Sequence, residues 1–419
     1  MTSILAERPG TVTLQREPLR VLVVTESFLP QINGVTNSVR RVLEHLAEQG
    51  HEAMVLAPVA PESGEYLGFP IVVTRGITLS VYDDFRIGFE TRGRLKRQMI
   101  DFDPDVVHIA SPAFMGYQAT KAAQELGIPT VAIYQTDMVG FAARYEDRYP
   151  VRGLTQSMAA LTRKIHSAAD RNLAPSSASL TQLEDLGIAN TVLWPRGVNV
   201  EQFHPSRRDQ GLRKRLAPNG ELIVGYVGRL AVEKELELLT IFHDDPRYSL
   251  VLVGGGPDQE RLRKLMPKAH FLGLLHGDEL GAAYASLDVF VHTGRHETFC
   301  QSAQEGLASG LPVIAPNQGG PIDIVDHGAT GFLYTPGDRS DLASYVERLA
   351  GDDVLRRTYA RAARRAVEGR SWGAINSRLI DHYREVIAEK QLSAGGRRLR
   401  RSSSRGGSAR PWAASPRVH

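Results

Sequence analysis

Residues 20–58 read RVLVVTESFLPQINGVTNSVRRVLEHLAEQGHEAMVLAP. An apolar, β-branched run, RVLVVT (20–25), opens the stretch and another, AMVLAP (53–58), closes it. Between them a polar loop carrying Asn33-Gly34 leads into a helical pattern over 36–49, starting near Val35. Strand, loop, helix and strand in that order make one βαβ unit. The strands are apolar on both faces, so the sheet they enter is parallel and covered on both sides.

The same rhythm runs along the chain. The first series continues with IVVT (71–74), DVVHIA (105–110), PTVAIYQ (129–135), RNLAP (171–175) and TVLWP (191–195). A second series holds LIVGYVG (222–228), SLVLVG (249–254), HFLG (270–273), LDVFVH (287–292) and LPVIAP (311–316). Helical patterns at 113–126, 176–186, 256–265 and 300–309 lie between strands, and 338–350 and 352–388 follow the last one. The predicted class is α/β, with two Rossmann-like, doubly wound parallel-sheet domains at 19–198 and 199–371. PRGVNVEQFHPSRRDQ (195–210) is polar and reads as an exposed linker.

A chain of 419 residues, 42% hydrophobic and 23% charged, has the composition of a soluble two-domain protein. One cysteine, Cys300, excludes an intramolecular disulfide and fits a reducing compartment. No apolar run approaches the ~20 residues that span a bilayer. Residues 1–18 lack a signal-peptide core and read as a leader. The expected location is cytoplasmic, with a peripheral place on the inner membrane face. The tail 391–419 is rich in Arg, Gly and Ser; seven arginines and no acid lie in 395–419, which reads as disordered. RIGFETRGRLKRQMIDF (86–102) sets five basic residues beside apolar ones, which suits an anionic membrane surface or a solvated helix. Nothing suggests nucleic acid as a partner. Oligomeric state is not readable.

Ligands of open α/β sheets sit beyond the carboxyl ends of strands, where helices begin. Asn33 and Gly34 occupy such a place. A helix N-terminus there suits a phosphate, and a missing Cβ lets it come close. GYVGRLAVEKELELL (225–239) places Arg229 and Lys234 in a loop after a strand, where two cations can clamp a diphosphate. VLVGGGPDQ (251–259) is a Gly-rich strand exit. In GRHETFCQSAQEGLASGLPVIAPNQGGPIDIV (294–325), Glu297 lies before a helix and Glu305 inside it. Two carboxylates so placed can accept hydrogen bonds from the hydroxyls of one elongated ligand. No compact His/Cys or Asp cluster marks a metal site, so no metal and no cofactor is required.

These motifs together resemble the retaining glycosyltransferases of family 4, which have the GT-B fold with an interdomain cleft. The resemblance covers about residues 19–388. RGVNVEQFHP (196–205) is similar to the family's interdomain segment. ESFLPQINGVTNSV (26–39), IYQTDMVGF (133–141) and HETFCQSAQEGLASG (296–310) are similar to the actinobacterial GDP-mannose-dependent α-mannosyltransferase branch, and sulfoquinovosyltransferases share similar stretches.

The resemblance implies roles. Glu305 binds the donor ribose, and Glu297 holds the transferred sugar with backbone around Thr298, Phe299, Cys300 and Gln301. Arg229 and Lys234 neutralise the leaving diphosphate, which approaches at Asn33 and Gly34. His108, in DVVHIASP, matches a family histidine near the reacting sugar. Asp137 touches acceptor or sugar, and the base lies near Leu274 and Leu275. The family also implies cleft closure about 195–205 and a last helix, about 372–388, crossing back onto the first domain. Two departures stand out. Cys300 replaces a common glycine, and the YQTD of 134–137 replaces a more general YHT. The function so implied is transfer of mannose from GDP-mannose to a lipid or glycolipid acceptor, with retention. A UDP-glucose or UDP-sulfoquinovose transferase acting on diacylglycerol, and a non-catalytic nucleotide-sugar-binding protein, stay open as alternatives.

Overall fold

The computed structural model describes residues 17–31, 33–78, 86–110, 114–148 and 152–404. Two parallel sheets organise it. The first has eight strands in the spatial order Thr191–Leu193, Arg171–Ala174, Thr130–Ile133, Val106–Ile109, Arg20–Val24, Glu52–Ala57, Phe69–Val73, Glu65–Tyr66. Every pairing is parallel except the last, which the sequence did not disclose. The second sheet runs His270–Gly273, Tyr248–Val253, Leu222–Val227, Val289–Val291, Val313–Pro316, Gly331–Tyr334.

Alternation within each strand explains the double cover. Val21, Val23, Val55, Val106 and Val131 face one side, against Val39, Val42, Leu43 and Leu46 of helix Gly34–Glu48. Leu22, Val24, Leu56, Val107 and Ile109 face the other, against Leu95 and Met99 of helix Arg92–Phe102 and Met115, Ala119, Ala122 and Ala123 of helix Phe114–Leu126. The second sheet is sandwiched in the same way.

The helical pattern over 352–388 divides into two helices, Asp353–Val367 and Trp372–Ser404. Between them the chain turns extended and returns to the first domain. The Val198 N–H donates to the Arg370 carbonyl at 2.9 Å, and Val198 bridges Ser371. Gly197 lies against this passage; a Cβ there would sit 2.5 Å from Trp372 Cα. The last helix then buries Ile375, Leu379, Ile380, Tyr383 and Val386 in the first core. Each such side chain contributes about 1.5–3 kcal/mol relative to exposure.

Two expectations need correction, and a third is narrowed. The segment beginning at Pro195 is not an exposed linker at its start: Trp194, Arg196 and Val198 are buried. The last helix runs through 391–404, which was read as disordered tail; Leu, Ala and Arg are good helix formers and extend it. The rest of that tail, 405–419, and most of the leader, 1–16, lie outside the described residues. The basic stretch 86–102 is partly neutralised, because Arg92 and Lys96 pair with Glu125 of the next helix and Arg94 lies 3.6 Å from Glu90. Among the described residues no helix is long and apolar enough to cross a membrane.

In both sheets the strand order reverses beside the first strand. The reversal falls between Arg20–Val24 and Val106–Ile109, and between Leu222–Val227 and Val289–Val291. Chains leaving such a pair diverge and open a crevice. The two crevices meet across the domain boundary. Thr298 Oγ1 donates to the Gln135 carbonyl at 3.2 Å, Ser179 Oγ to the Thr298 carbonyl at 3.3 Å, and Ser177 Oγ to Asp323 at 2.7 Å.

Candidate active site

The second crevice gathers charge. Lys234 closes the turn Val232–Lys234 after strand Leu222–Val227, and His292 and Glu297 follow strand Val289–Val291. Thr293 Oγ1 donates to the Lys234 carbonyl at 2.5 Å and locks the two strand exits together. Lys234 Nζ donates to Glu297 Oε1, and His292 Nε2 lies 3.2 Å from the same oxygen. Burial alone would push the Glu297 carboxyl up, but Lys234 and His292 outweigh it and hold the group well below the usual carboxylate range. Burial alone would pull His292 down; the Cys300 sulfur and the Glu297 carboxylate outweigh that and raise it to about 9. Burial likewise opposes the Lys234 charge, and Glu297 restores it. At neutral pH the cluster is therefore one carboxylate between two cations. His292 was not singled out from sequence, although its place at the end of LDVFVH carries the signal.

Helix Gln301–Ala308 begins beside this cluster with no side-chain cap. Cys300 precedes it at φ 76°, a left-handed conformation that glycine adopts without strain. The Gly320 N–H donates to the Glu297 carbonyl at 2.8 Å and fixes the loop from below. One turn on, Glu305 receives a hydrogen bond from Tyr284 Oη at 3.0 Å. Burial raises its pKa to about 7, against the pull of Tyr284 and Gln301.

Arg229 is not drawn into the cluster. Its side chain is half exposed and lies 4.0 Å from Glu233, open to the crevice mouth. Leu274 is 71% exposed, and a Cβ at Gly255 would touch it at 3.4 Å, whereas Leu275 packs on the second core. An exposed apolar side chain over a glycine-rich strand exit offers a flat ring a surface.

Across the boundary, Asn33 caps helix Gly34–Glu48: its Oδ1 accepts from the Val35 and Thr36 N–H groups, both at 3.0 Å. Those two donors, which the sequence reading left free for an anion, are taken. The Gly34 N–H has no protein partner among the described residues. A Cβ on Gly34 would meet Arg196 Nη1 at 3.5 Å, ordinary contact, so neither packing nor backbone conformation demands glycine there. Its bareness leaves room outside the protein. Asp137 accepts from the Gly140 N–H at 2.8 Å and shares with Glu297, Thr298 and Gln182 the wall of an interdomain hollow of about 160 Å³.

His108 stands apart. It sits within strand Val106–Ile109, fully buried, with Nδ1 against Tyr383 Oη of the last helix. Burial lowers its pKa to about 3, so it stays neutral inside the packing layer. The structure does not bring it to Glu297 or Lys234. Arg196 is the residue that sequence reasoning missed. Its Nη1 donates to the Gly34 carbonyl at 3.0 Å and its Nη2 to Gln135 Oε1 at 2.9 Å.

With this geometry in hand, comparisons with known proteins are specific. Residues 32–202 match the family Glycosyltransferase Family 4, and residues 208–366 match Glycosyl transferases group 1. The chain is 47% identical over 382 residues, 90% of itself and 99% of the other, to a GDP-mannose-dependent alpha-mannosyltransferase of Mycobacterium tuberculosis. It is 26% identical over 326 residues, 74% of itself and 83% of the other, to that organism's GDP-mannose-dependent alpha-(1-6)-phosphatidylinositol dimannoside mannosyltransferase. The crystal structure of Anabaena Alr3699/HepE in complex with UDP superposes with a TM-score of 0.72 at 19% identity, covering 88% of this chain and 100% of that one.

Proposed function

This chain belongs to glycosyltransferase family 4 and folds as a GT-B glycosyltransferase, and from that premise we propose that it transfers mannose from GDP-mannose to a hydroxyl of a lipid or glycolipid, with retention of configuration. One observation carries the reading: Glu297, held by Lys234 and His292, lines the same interdomain hollow as Asp137. In this reading Glu297 accepts hydrogen bonds from hydroxyls of the transferred mannose. Its ionised state, held by two cations, makes it a strong acceptor. Lys234 and Arg229 stabilise the charge that develops on the departing diphosphate, and the Gly34 N–H meets it from the other domain. The departing phosphate oxygen takes the acceptor proton on the face from which it leaves. Catalysis is then positioning plus charge stabilisation, and it needs no metal. The 47%-identical relative supports GDP-mannose, and the phosphatidylinositol dimannoside enzyme supports a lipid acceptor. The first domain would rest on the inner face of an anionic membrane; Arg97, Ile100 and Phe89, all exposed, support that placement.

The test is transfer of radiolabelled mannose from GDP-mannose into a membrane lipid extract, with a chelator present. Label in an organic-extractable product is the expected result. No transfer from GDP-mannose, with transfer from UDP-glucose or UDP-sulfoquinovose, overturns the donor; binding without turnover of any donor overturns the enzyme.

Two expectations follow from the donor side. Arg229→Ala removes a half-exposed cation that nothing in the fold depends on, so Tm should stay at the wild-type value while donor KM rises about 10-fold. An unchanged KM would remove Arg229 from the diphosphate site.

The second concerns pH. Glu305 moves from 4.5 unfolded to about 7 folded. A raised carboxyl contributes stability below about pH 4.5 that is lost as pH rises through 7. Ribose hydroxyls donate to the ionised form, so nucleotide binding should release a proton and weaken below pH 7, by at most about tenfold per pH unit. Calorimetry of GDP binding in buffers of different ionisation enthalpy reads this directly. Glu305→Gln should abolish the proton release; its persistence in that variant would assign the proton to another group.

A further inference from the structure

Arg196 carries a buried positive charge that no ion pair neutralises among the described residues. Only 8% of its surface is exposed, and among the described residues no carboxylate lies within ion-pair distance of it. Its two protein hydrogen bonds go to neutral oxygens, the Gly34 carbonyl and Gln135 Oε1. Burying a cation without a partner is costly, and a neutral amide would serve those two acceptors without that cost. A guanidinium retained in such a place points to an anion that arrives later.

The placement of the group says which anion. The Arg196 carbonyl accepts from Gln304 Nε2 at 2.9 Å and the Gly197 carbonyl from Gln301 Nε2 at 3.0 Å. Both glutamines belong to helix Gln301–Ala308, which also carries Glu305. The backbone of Arg196 is thus pinned by the second domain while its guanidinium reaches into the first. It meets Gly34 from the side of helix Gly34–Glu48, at the carbonyl, and leaves the Gly34 N–H facing out of the helix end. That is where the donor diphosphate arrives in the reading above, on which this inference rests. Burial pulls the guanidinium pKa down to about 10, still well above neutrality, and Glu297 supports its charge from a distance.

We propose that Arg196 is a positioning residue for the donor: its buried guanidinium, without an ion-pair partner, holds the Gly34 carbonyl so that the Gly34 N–H meets the leaving diphosphate, whose negative charge balances the cation at close range. Arg196 thereby makes the first domain's phosphate corner depend on the helix that binds the ribose, and a nucleotide without its diphosphate leaves the cation unbalanced.

The test compares wild type, Arg196→Gln and Arg196→Lys by thermal unfolding with and without GDP, and by donor KM and kcat. Wild type should be stabilised by GDP. Arg196→Gln, freed of an unpaired charge, should keep or exceed the wild-type Tm without ligand, lose most of the GDP-induced rise, and show a donor KM raised about 10- to 100-fold. Arg196→Lys, which keeps the charge but not the fork, should recover part of the rise. A GDP-induced rise equal to that of wild type in Arg196→Gln overturns the proposal. So does a lower ligand-free Tm in both variants with the rise lost in both, which would make Arg196 a structural tie. Absence of any GDP effect on wild type would instead defeat the nucleotide reading itself. Should Arg196→Gln not fold, Arg196→Lys decides alone, since an unchanged donor KM in it overturns the proposal.

Discussion

Glu297→Gln is expected to lower kcat by about 10²- to 10³-fold, the range for removing one preorganised electrostatic contact at a reacting centre. The amide keeps the size of the side chain but loses the charge that Lys234 and His292 maintain. It would still touch the sugar, so KM for GDP-mannose should move far less than kcat. Stability should suffer as well. The change leaves Lys234 without its counter-charge, and breaking a buried pair in this way costs about 3–5 kcal/mol. The lower end applies, because the Lys234 and Glu297 side chains keep 21% and 19% exposure. His292 should respond in a third way. Without Glu297, one of the two groups that hold its charge against burial is gone, so its pKa falls from about 9. Steady-state kinetics, denaturant unfolding and the His292 ring resonances read these three effects separately. A fall in KM-linked affinity with kcat intact would show that Glu297 binds the sugar without acting on the reaction.

Lys234→Met has the next largest expected effect, about 10²- to 10³-fold in kcat, because it withdraws a cation from the leaving diphosphate. Alone, it leaves the Glu297 carboxylate with only His292 beside it, so stability falls too. The informative protein is the double variant, Lys234→Met with Glu297→Gln. If the pair is coupled as the geometry shows, the double variant should unfold at a higher denaturant concentration than the sum of the two single losses implies, while activity stays near zero. Additive stability losses would mean that the two groups do not interact in solution.

The strand–helix rhythm was readable because each strand announces itself by a short β-branched run, and each crevice by the loop after it. That Lys234 and Glu297 come together was legible for the same reason: their loops follow two strands that the fold places side by side. Residues whose setting is made by distant parts of the chain were not legible. Arg196 sits in a polar stretch and looks like linker, yet its burial comes from Gly34, Gln135 and Gln304, each far off in sequence. His108 looked like a site histidine because of the letters around it. Its fate is decided by Tyr383, 275 residues later, on a helix whose return is invisible to local pattern. Asn33 precedes a helix end that looks free in the sequence, yet its side chain fills two of the donors. The short strands Glu65–Tyr66 and Gly76–Thr78 carry too few residues for periodicity to register.

The outgoing and returning chain passages touch where Val198 bridges Ser371. Two tethers joined at one place act as a pivot: neither can lengthen while the other holds, so any relative motion of the halves would be rotation about an axis near that bridge. Displacement in a rotation grows with distance from the axis. In such a rotation Arg196 and Gly197, within two residues of the bridge, would scarcely travel, while residues far from it would sweep through a wider arc. Contacts close to the axis would therefore already be in register before such a swing, and those far from it would be completed only at its end.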